Sequence, residues 1–207
     1  MPSKITTLFT DIGGVLLTNG WDRALRKKTA EKFGLDQNEM NDRHHLTYDT
    51  YEVGKMGLDE YLDRVVFYTP RSFTPETLKQ WILDEARPYP ETIELVRSLK
   101  KLNGIKIAVV SNEGRELAVD RIARFNLKEF ADFFIVSSFV HFRKPDIDIF
   151  KLALDVAQVA PENVAYLEDR AMFAEIAQTL GIHSVRHVDA RQSSEALGKL
   201  GLALPKS

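Results

Sequence analysis

The sequence predicts an α/β protein: a doubly wound parallel sheet with a small helical unit inserted after its first strand. Three observations carry this expectation. From residue 90 onward, short β-branched apolar runs alternate with amphipathic helical stretches. A similar apolar run, Ile5 to Thr10, stands by itself near the start and halts at Asp11, just before Gly13-Gly14. Between the two, from Trp21 to about Glu85, helical periodicity and charge prevail and no segment reads as a strand.

Taken in order, Ile5–Thr10 is expected as the first buried strand, with Val15-Leu16-Leu17 a second apolar burst behind the glycines. Helical spacing marks Trp21–Phe33, Leu58–Phe67 and Pro75–Leu83, and Pro70, Pro75, Pro88 and Pro90 punctuate the region. Four helix–strand units follow. Helix Glu91–Leu102 leads to strand Ile105–Val110, and helix Arg115–Phe125 to strand Phe133–Val136. Helix Ile147–Ala157 leads to strand Val164–Leu167, and helix Ala171–Leu180 to strand Ile182–Val185. A last short helix is expected over Ser194–Leu200, weakened by Gly198, ahead of a frayed end at Ser207. The first strand therefore joins the later ones in one sheet. Residues 1–18 and 88–207 are expected to form the core, and 19–87 a helical cap.

Composition narrows the partners. A chain of 207 residues has room for one sizeable core and a small accessory unit, and 44% hydrophobic with 28% charged residues is ordinary for a globular protein. The formal charge is −2, with Lys and Arg dispersed among acids, which offers no basic face to a nucleic acid. The absence of cysteine excludes disulfides and thiolate metal sites. Met1 to Lys4 is too brief for the charged leader of a signal peptide, and no apolar run approaches the roughly 18 residues of a membrane span. A cytoplasmic protein, monomer or homodimer, with no membrane partner is expected.

Polar residues gather where the strands end, the rim at which open parallel sheets bind ligands. The first strand ends in Asp11, the second in Ser111-Asn112 and the fourth in Glu168-Asp169, while the loop after the third carries Arg143-Lys144-Pro145-Asp146. Carboxylates can hold a divalent cation. The hydroxyl, amide, lysine and glycine backbone can hold phosphate oxygens. Taken singly, each has an ordinary structural use: Ser111-Asn112 as a helix cap, Glu168-Asp169 against a helix dipole, Lys144 as a solvated loop charge.

As a set in sequence order, these segments resemble the haloacid dehalogenase superfamily. Phe9-Thr10-Asp11-Ile12-Gly13-Gly14-Val15-Leu16 resembles its first motif and Val110-Ser111-Asn112 its second. Lys144-Pro145-Asp146 with Ile149-Phe150 is similar to the third, and Leu167-Glu168-Asp169 to the fourth. Tyr51-Glu52-Val53-Gly54-Lys55, followed by Glu60-Tyr61, resembles a cap segment, and the nearest flavour is the sugar-phosphatase and epoxide-hydrolase phosphatase-domain subgroup. The resemblance implies a Rossmann-like core and a Mg²⁺-dependent phosphatase acting on a small phosphorylated metabolite. Asp11 would be the nucleophile and Lys144 would neutralise charge. Ser111, Asn112, Gly14 and Lys144 would bind the phosphate, and Asp11, Gly13, Glu168 and Asp169 would hold Mg²⁺.

One departure separates the chain from many phosphatases of this family. The second position after the nucleophile is there an aspartate that serves as general acid; here it is Gly13, which cannot transfer a proton. Haloacid dehalogenation, which needs no such acid, and a phosphate-binding regulatory protein without turnover are the alternative functions. His44, His45, His141, His183 and His187 show no metal-ligand spacing and are expected as surface or satisfied structural residues. Tyr48, Tyr51, Tyr61, Phe67, Tyr68 and Trp81 are expected as cap core.

Overall fold

The computed structural model describes residues 4–205; residues 1–3 and the last residues of the expected frayed end lie outside them. Five parallel strands form one sheet in the order β3-β2-β1-β4-β5. They are β1 (Thr7–Thr10), β2 (Lys106–Ser111), β3 (Phe133–Val136), β4 (Val164–Glu168) and β5 (His183–Arg186). The central strand β1 pairs with β2 and with β4, so Phe9 sits between Ala108 and Tyr166. Alternation along each strand sends side chains to two separate apolar layers. Leu8, Ile107, Val109, Ala165 and Leu167 face one layer, while Phe9, Ala108, Val110 and Tyr166 face the other. Both faces are covered by helices, which explains why the strands read as continuous apolar runs.

Helices α1 (Arg23–Phe33), α2 (Gln37–Glu52), α3 (Leu58–Val65) and α4 (Pro75–Asp84) follow β1. Their ends are set locally. Asp22, Asp36 and Thr74 accept backbone N–H bonds at the starts of α1, α2 and α4, and Gly34 takes a left-handed conformation to close α1. Sequence periodicity passed over α2, the longest helix of the group, because it buries only Met40, Tyr51 and Glu52 and carries polar residues nearly all round. These helices enclose a third apolar cluster that includes Trp21, Tyr51, Tyr61, Leu62 and Leu78, joined by Leu117 of the core. Phe67 and Trp81 pack against it as expected, whereas Tyr68 is 36% exposed and belongs outside it.

The remaining helices are α5 (Pro90–Asn103), α6 (Arg115–Arg124), the single turn α7 (Ser137–Val140), α8 (Asp148–Ala157), α9 (Ala171–Thr179) and α10 (Ala190–Lys199). Most bounds fall within two residues of expectation. The last helix begins four residues early because Asp189 caps it through the Gln192 amide. Val15-Leu16-Leu17 is not a strand: it is a buried turn tied back to Ile12, bridging Gly13 and Pro88. Among the described residues, no helix is long and apolar enough to cross a membrane.

Gly114, just before α6, is a point of close approach between the helical cluster and the core. A Cβ there would run into the ring of Tyr51, which stacks on Tyr61 with centroids 5.0 Å apart. Gly114→Ala should therefore destabilise the protein by about 1–3 kcal/mol through overpacking, read as a lower urea midpoint at unchanged slope. An unchanged midpoint would show that the Tyr51 contact is soft.

Candidate active site

Asp11 leaves β1 at the centre of the sheet, its amide bonded to the Leu167 carbonyl at 3.0 Å. One carboxylate oxygen accepts from the next residue's N–H, Ile12, at 2.7 Å, and the other lies 3.0 Å from Lys144 Nζ. Ser111, at the end of β2, lies close enough to this carboxylate to favour its charged form. Central strand, neighbouring strand and the β3–α8 loop thus converge on one side chain, as the sheet order requires.

Lys144 is no solvated loop charge. It is fully buried, and its ammonium reaches the Val110 carbonyl and Tyr166 hydroxyl at 3.1 Å and Glu168 Oε2 at 2.7 Å. Burial alone would lower its pKa, but the charges of Asp11 and Glu168 outweigh that and raise it, so it stays protonated. Burial raises the pKa of Asp11, with Lys144 opposing and Glu168 adding to the rise. Asn112 holds the lysine's backbone from both sides. Its amide nitrogen donates to the Lys144 carbonyl at 2.7 Å, and its oxygen accepts the Lys144 N–H at 2.8 Å. Its structural work is thus to fix a loop, although it also lines the pocket. The cap of α6 is Gly114, so neither Ser111 nor Asn112 is spent there.

Asp11, Glu168 and Asp169 bring carboxylate oxygens within 4.8 Å of one another. With Lys144 as the one cation among them, two negative charges stand uncompensated, which suits a divalent ion. Among the described residues, Asp169 Oδ1 is buried without a hydrogen-bond partner, as an oxygen that holds a cation would be. Glu168 is more committed: Oε2 accepts from Lys144 and the Tyr166 hydroxyl, and Oε1 from the Arg170 amide. Its remaining lone pairs are what it could offer a metal.

The two glycines divide their work. Gly14 adopts φ +74°, and a Cβ there would overlap the Asp169 carboxylate. Its amide is bonded to the Leu17 carbonyl at 2.8 Å, so the expectation that Gly14 binds phosphate gives way to a spacing role. Gly13 is not left-handed. A Cβ there would come within 3.0 Å of Asn19 Oδ1, so Asn19 fills the direction a side chain at position 13 would take.

A cavity of about 390 Å³ opens beside Asp11 and Gly13, walled by α1, α2 and the β2 and β4 rims. Several of its residues escaped sequence reasoning. Glu113 forms a buried ion pair with Arg121, and its other oxygen has no partner among the described residues. Burial raises the Glu113 pKa against the pull of Arg121. Glu52 and Asp49 of α2 pair with Arg143 across to the core, and Trp21 and Tyr48 line the wall. Tyr166 was legible in principle, since it lies two residues before Glu168 on the same face of β4. The pairs of Asp49 and Glu52 with Arg143 join residues about 90 apart in sequence, and Glu113–Arg121 spans eight residues without a helical i,i+4 spacing, so neither left a local signal. Of the histidines, His44 and His45 line the cavity, while His183 bonds the Glu162 carbonyl and His187 the Ser193 hydroxyl.

A family model for haloacid dehalogenase-like hydrolases matches residues 5–181. A curated relative, the phosphorylated carbohydrates phosphatase of Thermotoga maritima, is 30% identical over 104 residues, covering 50% of this chain and 46% of the relative. The match thus spans about half of that protein. Two solved structures share the fold. A haloacid dehalogenase-like family hydrolase from Porphyromonas gingivalis superposes with a TM-score of 0.77 at 19% identity, covering 96% of this chain and 98% of that one. A haloacid dehalogenase family enzyme from Bacteroides thetaiotaomicron, in complex with magnesium and inorganic phosphate, gives 0.74 at 20% identity over 89% and 96%.

Replacing Lys144 by Met should leave two carboxylates buried without their cation and cost about 3–5 kcal/mol of stability near neutral pH. Asp11 already has a raised folded pKa, so the folded protein takes up that proton before the unfolded chain does. The deficit should therefore shrink as pH falls toward the ordinary carboxylate range and be largest above it. A deficit independent of pH in urea titrations would place the loss in packing instead.

Proposed function

Because the chain belongs to the haloacid dehalogenase-like hydrolase family, we propose that it is a Mg²⁺-dependent phosphatase acting on a small phosphorylated metabolite through an aspartyl-phosphate on Asp11. The observation that carries this reading is the buried cluster of Asp11, Lys144, Glu168 and Asp169, which retains two uncompensated negative charges and an unpartnered Asp169 oxygen. Asp11, Glu168, Asp169 and the Gly13 carbonyl would hold the cation, which when bound lowers the charge on the phosphoryl oxygens. Haloacid dehalogenation would also use Asp11 as nucleophile but needs no cation, which leaves the unpartnered Asp169 oxygen without a role.

In the first step an oxygen of Asp11 forms a bond to phosphorus as the bond from phosphorus to the leaving oxygen breaks. The electron pair departs with that oxygen, which is protonated from solvent. Water then attacks phosphorus, the bond to Asp11 breaks, and inorganic phosphate leaves with the carboxylate restored. Lys144 holds the nucleophile in line and offsets its charge, and Ser111 bonds the same carboxylate or a phosphate oxygen. Residues 19–87 act as a cap that walls the cavity and excludes water.

Phosphate release from a panel of sugar phosphates, nucleotides and phosphorylated small acids, with and without Mg²⁺, tests this directly. Turnover should vanish on chelation and fall by at least about 10³-fold in Asp11→Asn. Undiminished activity in a folded Asp11→Asn protein would sink the covalent mechanism.

Position 13 sets a second expectation. A general acid supplies about 10²–10⁴-fold for a poor leaving group. Gly13 has no proton to give, and burial together with Arg26 pushes His44 down to about 3, so it is neutral. Reaction rates should therefore fall steeply with rising leaving-group pKa, aryl and anomeric phosphates outrunning alkyl ones. Since Gly13 needs no left-handed backbone, Gly13→Asp combined with Asn19→Ala should flatten the slope. A flat series in the wild type would mean that a proton donor is present, with Glu113 the first residue to replace.

A further inference from the structure

Ion pairs match much of the charge around the cavity; Arg23 and Arg170 also line it without an ion pair among the described residues, but both are exposed to solvent, whereas Arg26 on the α1 wall is half-buried. Asp49 and Glu52 pair with Arg143, Glu113 pairs with Arg121, and Asp11 pairs with Lys144. Asp22 is used to cap α1 through the Leu25 amide. Arg26 is half-buried in the cavity wall and, among the described residues, has no carboxylate within ion-pair distance. Two of its nitrogens are anchored, Nε to Asn41 Oδ1 at 3.1 Å and Nη1 to the Trp21 carbonyl at 2.8 Å. The guanidinium is thus held in place with donors to spare. A partly desolvated cation with no counter-charge is costly unless a ligand provides one.

His44 stands beside it as a second donor. Trp21 Nε1 donates to the Tyr61 hydroxyl at 2.6 Å, and that hydroxyl lies 2.7 Å from His44 Nδ1. Trp can only donate, and the single Tyr61 proton has His44 Nδ1 as its acceptor, so the proton of the neutral imidazole sits on Nε2. Arg26 and His44 therefore present only donors to the cavity at this point, and neither can accept from a sugar hydroxyl.

We infer that Arg26 and His44 form a subsite for a second anionic group, a carboxylate or a further phosphate, carried by the substrate whose phosphoryl group is bound at Asp11. The substrate would then be a small doubly anionic ester and not a neutral sugar monophosphate. This inference rests on the phosphatase reading above for what occupies the Asp11 end. The cavity of about 390 Å³ has room for both ends of such a molecule.

Calorimetry with non-hydrolysable ligands at fixed free Mg²⁺ tests the subsite without turnover. The carboxylate arm compares 3-phosphonopropionate with propylphosphonate, and the phosphate arm compares propane-1,3-bisphosphonate with the same control. Wild type should bind at least one doubly anionic ligand about ten- to a hundredfold more tightly than propylphosphonate, and the arm that responds identifies the anion. Arg26→Gln should abolish the preference, and Arg26→Lys, which keeps the charge and loses the fork, should retain part of it. Tyr61→Phe, which takes away the donor that fixes the His44 tautomer, should weaken it less. Equal affinities, no binding of either doubly anionic ligand, or a preference that survives in folded Arg26→Gln would overturn the subsite. Turnover of p-nitrophenyl phosphate is scored separately. A preference without any turnover would sink the phosphatase reading and leave the subsite, and turnover with equal affinities would do the reverse.

Discussion

The ammonium of Lys144, enclosed between the carboxylates of Asp11 and Glu168, is the contact on which the centre of this protein depends. A fully buried lysine is tolerable only when its charge is matched and its protons are bonded. Here the partners come from three separate strand ends: Asp11 after β1, the Val110 carbonyl on β2, and Tyr166 with Glu168 on β4. The cluster can assemble only when the sheet has the order it has, with β1 between β2 and β4. Asn112, by gripping both backbone groups of Lys144, extends the same constraint to the β3–α8 loop.

That arrangement is not neutral. One cation for three acids leaves a charge deficit in a place from which water is largely excluded, and burial answers by raising the Asp11 pKa. Sites of this kind are costly to the fold and useful to chemistry, because the missing charge can come from a ligand. The same logic recurs at the opposite wall with the sign reversed, where Arg26 is anchored but unmatched. A cavity short of positive charge at one end and of negative charge at the other is complementary to a metal-bound phosphoryl group at the first and an anion at the second.

The two halves of the cavity wall are tied together by few but specific contacts. Arg143 from the core reaches Asp49 and Glu52 on α2, Ser137 donates to the Glu52 carbonyl at 2.7 Å, and Tyr51 packs over Gly114. These contacts involve the segment Tyr51-Glu52-Val53-Gly54, and Gly54, at φ +73°, leaves no room for a Cβ against the Ser138 backbone. The geometry of the helical wall relative to Asp11 is thus set at the C-terminal end of α2, about two turns beyond His44 and His45 and one beyond Tyr48.

The sequence by itself determined the α/β class, the strand list and which residues end each strand. Those follow from local periodicity, and a parallel sheet must bury its strands on both faces. It also supplied the candidates Asp11, Ser111, Lys144, Glu168 and Asp169, since residues at strand ends must share one rim of the sheet. Tertiary structure decided what each of them touches. Burial turned Lys144 from a loop charge into a buried ion-pair hub, the Leu17 carbonyl claimed the Gly14 amide, and the Lys144 backbone claimed the Asn112 side chain. It also decided the cavity's far wall, where Arg26, His44, Tyr61 and Trp21 meet although Trp21 and Tyr61 are 40 residues apart. Such contacts carry no period and no spacing; they exist only once helices α1 to α3 have packed, because pairing of charges and donors depends on distance in space and not along the chain.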